Sequence, residues 1–97
     1  MKTLDEIKAI IREHRSILAE RYGIAVVGIF GSYVKGEQKG TSDLDIVVEI
    51  LRPISLLELT GAEIYLTEIL GIQTDLVPQR DIRAELRESI LKETVPI

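Results

Sequence analysis

The run Ile24-Ala25-Val26-Val27-Gly28-Ile29-Phe30 carries no polar side chain and shows no alternation. A strand with one wet face alternates apolar and polar residues, whereas an unbroken apolar run suits a strand covered on both faces. Two covering layers are therefore needed, and the flanking segments have the pattern to supply them. Leu4, Ile7, Ile10, Ile11, Ile17 and Leu18 recur at three- and four-residue spacing, which predicts one amphipathic helix over 4–22. Thr3 with Glu6 matches a capping box at its start, and Gly23 stands where a helix-ending glycine belongs.

Residues 31–41, with glycines at 31, 36 and 40, read as a loop. A second strand is predicted from about Leu44 to Leu51, ended by Arg52-Pro53. Its alternation puts Leu44, Ile46, Val48 and Ile50 on one face and Asp43, Asp45, Val47 and Glu49 on the other. Ser55 with Glu58 is a second capping box and predicts a helix to Leu70, with Gly71 beyond it. A third strand spans Gln73 to Val77 and is stopped by Pro78. A last helix starts at Arg80 or Asp81 and carries Ile82, Leu86, Ile90 and Leu91 on one face. The order αβ, loop, βαβα makes an α/β layer structure.

A length of 97 residues, with 45% hydrophobic and 29% charged residues, fits one folded domain over 1–97 and argues against disorder. The net charge of −4 offers no counter-charge for gripping nucleic acid through its phosphates. The absence of Cys excludes disulfides, zinc–thiolate sites and thiol catalysis. No signal-peptide core and no membrane-length apolar run occur, so a cytoplasmic protein with no membrane contact is expected. Asn is absent and Ile occurs fifteen times, a weak pointer to a heat-adapted source.

The chemistry concentrates around Asp43-Leu44-Asp45. Asp is disfavoured in strands, yet here two sit at i and i+2, on one face, at the mouth of a Val/Ile-rich strand. At ~5 Å in water two such charges repel by roughly 0.8 kcal/mol, and by more where partly desolvated. A hard cation such as Mg²⁺, which takes one or two carboxylates and completes its shell with water and phosphate oxygens, would relieve that repulsion. The plain alternative is a pair of solvated residues at a strand end. An EF-hand is excluded, because its sixth position would be Val48 where Gly is required. Gly31-Ser32 directly follows the buried strand, where backbone N–H groups and a hydroxyl can hold phosphate oxygens; an ordinary strand-to-turn glycine is the alternative. No Walker-type Gly-Lys-Ser/Thr is present. Asp75, inside Thr74-Asp75-Leu76-Val77, could complete a triad with Asp43 and Asp45 if the two strands are neighbours, or be an exposed edge-strand residue.

Taken in chain order, Gly31-Ser32, ten intervening residues, Asp43-x-Asp45 and a later strand Asp75 resemble the signature of the DNA polymerase β-like nucleotidyltransferases. Gly31-Ser32-Tyr33-Val34-Lys35-Gly36-Glu37 and Ser42-Asp43-Leu44-Asp45-Ile46-Val47-Val48 are similar, more narrowly, to the minimal nucleotidyltransferases of the MntA antitoxin type. The resemblance implies an α/β (α+β) nucleotidyltransferase fold, with a small mixed sheet of about three strands flanked by helices in the order αβ(α)βαβα. It implies that Asp43 and Asp45 bind two Mg²⁺ ions that clamp the triphosphate of ATP. Gly31 and Ser32 would hold the β- and γ-phosphates, and Asp75 would ligand one metal and help deprotonate the attacking hydroxyl. Lys35 stands where relatives more often carry Arg, keeping the charge for nucleotide binding but not the bidentate fork.

The implied partner is a HEPN-domain RNase toxin, silenced when AMP is transferred from ATP to one of its tyrosines. Two other functions compete with this one: an antitoxin that acts by binding alone, and a nucleotidyltransferase for a small molecule. His14 near the first helix's apolar stripe is expected to pack rather than catalyse. Tyr33 either touches nucleotide or packs, and Glu49 has a structural role. Nothing in the sequence sets the homo- or hetero-oligomeric state.

Overall fold

The chain was analysed as a computed structural model that describes residues 2–37, 39 and 42–97. Thr3 Oγ1 accepts from the Glu6 N–H while the Glu6 carboxylate accepts from the Thr3 N–H, closing the expected capping box. The helix that follows is not continuous to residue 22. It is divided into α1 (Leu4–Glu13) and α2 (Arg15–Tyr22) at His14, whose φ of −107° and ψ of 11° are not helical. His14 Nδ1 lies 2.8 Å from Ile10 O, the acceptor its own backbone N–H would take in an unbroken helix. That N–H turns instead to Ile11 O at 3.0 Å. A side chain inserted into the i→i−4 ladder in this way kinks the helix.

The remaining elements are β1 (Ile24–Phe30), a single helical turn α3 (Ser32–Lys35), β2 (Leu44–Ile50), α4 (Leu56–Leu70), β3 (Thr74–Pro78) and α5 (Ala84–Glu93). The sheet has the order β1-β2-β3, with β2 antiparallel to β1 and parallel to β3. This is the expected mixed sheet of three strands flanked by helices. Parallel pairing of β2 and β3 requires a crossover, which α4 provides from its Ser55–Glu58 capping box to Gly71.

Three boundaries differ from expectation. The segment 31–41 is not all loop, since α3 forms in it; positions 38, 40 and 41 lie outside the described residues. Pro78 falls inside β3 rather than beyond it, which an edge strand tolerates. The last helix begins at Ala84 rather than at 80 or 81, because Gln79–Asp81 form a 3₁₀ turn and Ile82 is extended and buried. Arg87 Nη2 donates to the Ile82 carbonyl at 3.1 Å and so holds this reversal of the chain.

One face of the sheet carries the main core. Leu44, Ile46 and Val48 of β2 are fully buried there, with Ile7 and Ile11 of α1 and Leu66 and Leu70 of α4 in the same cluster. Val47 points to the opposite face and is also fully buried, so β2 is covered on both sides. Beside it on β1 stands Gly28, its register partner. A Cβ at Gly28 would lie 2.5 Å from Val95 O and 2.6 Å from Thr94 Cγ2. The chain leaving α5 crosses at this point, and Ile29 and Val95 exchange both backbone hydrogen bonds, at 2.9 and 2.8 Å. Gly28→Ala is expected to cost about 1–3 kcal/mol through overpacking. Thermal melts would show it as a fall of roughly 4–8 °C per kcal/mol; an unchanged Tm would mean that the crossing is not tight. Among the described residues no helix is long and apolar enough to cross a membrane.

Candidate active site

The three acids singled out from sequence come together at one end of the sheet. Asp45 is the second residue of β2 and Asp75 the second of β3, and the parallel register pairs them directly. Neighbouring strands lie about 4.8 Å apart, and residues in register share a face. Asp43, two residues before Asp45, falls on that same face and is close enough to share a hydrogen bond with Asp75. The start of β3 is pinned from below by Thr74, which is fully buried. Its N–H donates to Thr67 Oγ1 at 3.0 Å, and its hydroxyl donates to Ile72 O at 2.9 Å.

Gly31 completes the arrangement from β1. Its φ of +85° and ψ of −151° belong to a region essentially reserved for glycine. A Cβ there would lie 2.6 Å from Asp45 Oδ2, so the missing side chain is what lets the carboxylate sit against the backbone. Ser32 then opens α3, whose turn is closed by the Val34 and Lys35 N–H groups donating to Gly31 O at 3.1 and 3.2 Å. The first N–H groups of such a turn have no partner within it.

The other candidates divide. Lys35, the last residue of α3, is half-exposed with its Nζ 3.8 Å from Glu93 at the end of α5. Tyr33 packs: it is buried in the main core, and its hydroxyl points to Ser42 O at the long distance of 3.5 Å. His14 also packs, its ring edge-on to Tyr65 with centroids 5.8 Å apart. Glu49 lies on the acid face but four residues further along β2, where it lines a cleft with Arg80 and Arg87. One participant was not foreseen. Glu63 of α4 accepts the Leu76 N–H at 2.8 Å and adds its charge to the field at Asp75. Its signal was an acid lodged between Ala62 and Ile64 in a largely apolar helix.

A nucleotidyltransferase domain model matches residues 11–97, which include all three acids and the Gly-Ser turn. The chain belongs to the nucleotidyltransferase domain family. Protein adenylyltransferase MntA of Thermococcus cleftensis is 41% identical over 95 residues, covering 98% of this chain and 96% of that protein. A Methanocaldococcus jannaschii protein, provisionally named a protein adenylyltransferase, is 51% identical over 82 residues and 84% of each chain. A solved structure provisionally described as a minimal nucleotidyltransferase superposes with a TM-score of 0.80 at 33% identity, over 99% of this chain and 97% of that one. The fold alone is shared with a complex of a tri-AMPylated Shewanella oneidensis HEPN toxin and an MNT antitoxin. There the TM-score is 0.69 at 17% identity, over 95% of this chain and 69% of that one.

The electrostatics of this nucleotidyltransferase suit a cation. Desolvation first, then the charges of Asp75 and Asp43, raises the Asp45 pKa above the usual carboxylate value. Asp75 is raised by desolvation, by the Asp43 charge, by the hydrogen bond its protonated form gives Asp43, and by Glu63. Among the described residues no three acids close into a ready-made cage. Mg²⁺ does not demand one, since it keeps several waters and shares its shell with substrate phosphates. Hard oxygen donors in excess negative charge therefore fit the ion.

A raised carboxylate pKa means that the folded state binds protons more readily than the unfolded chain. Asp45 and Asp75 therefore lower stability at neutral pH, and this penalty fades as the pH falls through their raised values towards 3.8. Without divalent ions, Asp45→Asn is expected to melt above the wild type at pH 7, with the gap closing across that window. A gap that widens on acidification would show the sign to be wrong.

Proposed function

We propose that this nucleotidyltransferase is a Mg²⁺-dependent protein adenylyltransferase that moves AMP from ATP to a tyrosine of a HEPN RNase toxin and so acts as its antitoxin in the cytoplasm. The observation that carries the chemistry is the register pairing of Asp45 with Asp75, with Asp43 on the same face and Gly31 against Asp45. The protein substrate is supported by the adenylyltransferase names of the relatives and by the HEPN–MNT complex that shares the fold.

In this reading Ser32 and the N–H groups around it hold the outer phosphates, with their donors fixed before substrate arrives. Asp43 and Asp45 would hold magnesium, with Asp75 completing the set. When bound, Mg²⁺ neutralises the triphosphate and stabilises the attacking and leaving oxygens of an in-line displacement. Asp75 takes the proton of the attacking tyrosine hydroxyl. The tyrosine oxygen forms a bond to the α-phosphorus, the bond from that phosphorus to the bridging oxygen breaks, and pyrophosphate leaves. Mixing the chain with HEPN protein, Mg²⁺ and ATP labelled at the α- or γ-phosphate tests this directly. The α-label should move to the HEPN protein and the γ-label should not. Absence of α-label on the HEPN protein, or transfer undiminished by a chelator, would overturn the reading.

A further inference from the structure

Asp75 stands on a margin of the sheet, because β3 pairs with β2 on one side only. The Leu44 N–H donates to Gln73 O at 2.8 Å. Backbone groups of a strand face its two sides in turn, so residues 75 and 77 also face β2 while 74, 76 and 78 face outward. Left bare, that outer side would leave the strand that carries Asp75 tied along one edge alone.

Every outward donor of β3 is accounted for. The Thr74 N–H donates to Thr67 Oγ1 at 3.0 Å, the Leu76 N–H donates to Glu63 Oε2 at 2.8 Å, and Pro78 has no N–H. Thr67 and Glu63 are four residues apart on α4, and the groups they hold are two apart on β3. Four helical residues rise about 6 Å and two strand residues advance about 6.6 Å, so the two spacings match. The chain reverses at 71–73, which sets 67 opposite 74 and 63 opposite 76. Asp75 is the residue between the two fixed points.

The helix that supplies both acceptors packs on the other face of the sheet. Ala62, Leu66 and Leu70 of α4 lie in the main core with Leu44, Ile46 and Leu76, whereas Asp45 and Asp75 alternate to the opposite side. Thr67 therefore acts on Asp75 through the backbone. Glu63 does so as well, and its charge is also felt at Asp75. Neutral Thr67 thus isolates the effect of position.

We propose that Thr67 and Glu63 are positioning residues, a clamp on both sides of Asp75 through which α4 sets the place of its carboxylate relative to Asp43 and Asp45. This rests on the part given to Asp75 in the adenylyltransferase reading above. A displacement of 1 Å at a reacting centre can cost about 100-fold in rate. A smaller shift is expected here, because β2 still holds the inner edge of the strand.

The test sets variants that remove the acceptors against variants that keep them. Thr67→Val with Glu63→Met should lower kcat for AMP transfer to the HEPN protein about 30-fold, with KM for ATP within about threefold of wild type. The phosphates are held from the Ser32 turn, which the clamp does not touch. In the free chain, amide hydrogen exchange at Thr74 and Leu76 should quicken about tenfold or more, while Ile46 and Val48 keep their protection. Thr67→Ser and Glu63→Gln, which retain an acceptor oxygen, should each recover most of the lost rate. If the double variant does not fold, Thr67→Val alone should still lower kcat about tenfold at unchanged KM for ATP.

A loss in Thr67→Ser as deep as in Thr67→Val would overturn the clamp, as would slower transfer with exchange at Thr74 and Leu76 unaltered. If wild-type protein labels no HEPN protein, the adenylyltransferase reading fails and the positioning role with it. If wild type and the folded acceptor-free variants label it at equal rates, only the positioning role fails.

Discussion

Replacing Asp43 and Asp45 together with Asn should reduce AMP transfer about a thousandfold or more while leaving the protein folded and at least as stable. Divalent ions contribute several kcal/mol to such displacements, and each ~1.4 kcal/mol is a factor of ten. Asparagine keeps the shape of aspartate but offers a neutral amide that cannot hold magnesium. Stability moves the other way, because the ionised form of Asp45 is opposed by desolvation and by its neighbours. Loss of activity with a retained or raised Tm is thus a double signature that a merely damaged fold would not give. The same variant separates catalysis from binding: it should still associate with the HEPN protein, whose intact mass should stay unchanged. Transfer at wild-type rate would remove both acids from the mechanism.

Gly31→Ala should be the most damaging single change outside the acids. A residue with a side chain at φ +85° and ψ −151° costs about 1–3 kcal/mol. The new methyl group would also arrive 2.6 Å from Asp45 Oδ2, so the carboxylate must move. A displacement of 1 Å at a reacting centre can cost about 100-fold in rate, and a loss of that order in kcat is expected. The cause can be isolated with a double-mutant cycle. In an Asp45→Ala background the alanine at 31 should cost clearly less stability, because only the backbone strain remains. Equal penalties in both backgrounds would show that the contact with Asp45 is not what requires glycine.

Both predictions concern residues that stand out in the amino-acid sequence itself, because their signals are local. A period of two puts Asp43 and Asp45 on one face whatever surrounds them, and the Thr3–Glu6 and Ser55–Glu58 boxes declare helix starts within four residues. Asp75 needed one further fact, that β2 and β3 are neighbours. What stayed hidden depends on polar contacts that apolar spacing does not register, some local and some between distant parts of the chain. The break at His14 follows from one ring nitrogen reaching Ile10 O, a competition that the apolar spacing of Ile7, Ile11 and Leu18 does not register. The late start of α5 follows from the chain turning back at 79–82. Glu63 stands out as an acid between apolar neighbours, but its role is set only when β3 offers it the Leu76 N–H. The approach of Lys35 to Glu93 arises only because α5 ends there.

That bond from Leu76 to Glu63 has a counterpart across the sheet, where Val95 takes the outer N–H and C=O of Ile29. Each margin of the sheet is thereby interrupted by the protein's own groups. An exposed margin is the usual template on which a foreign strand adds itself, whether in productive complexes or in aggregates formed on heating. Addition of a foreign strand at either margin would have to displace one of these groups.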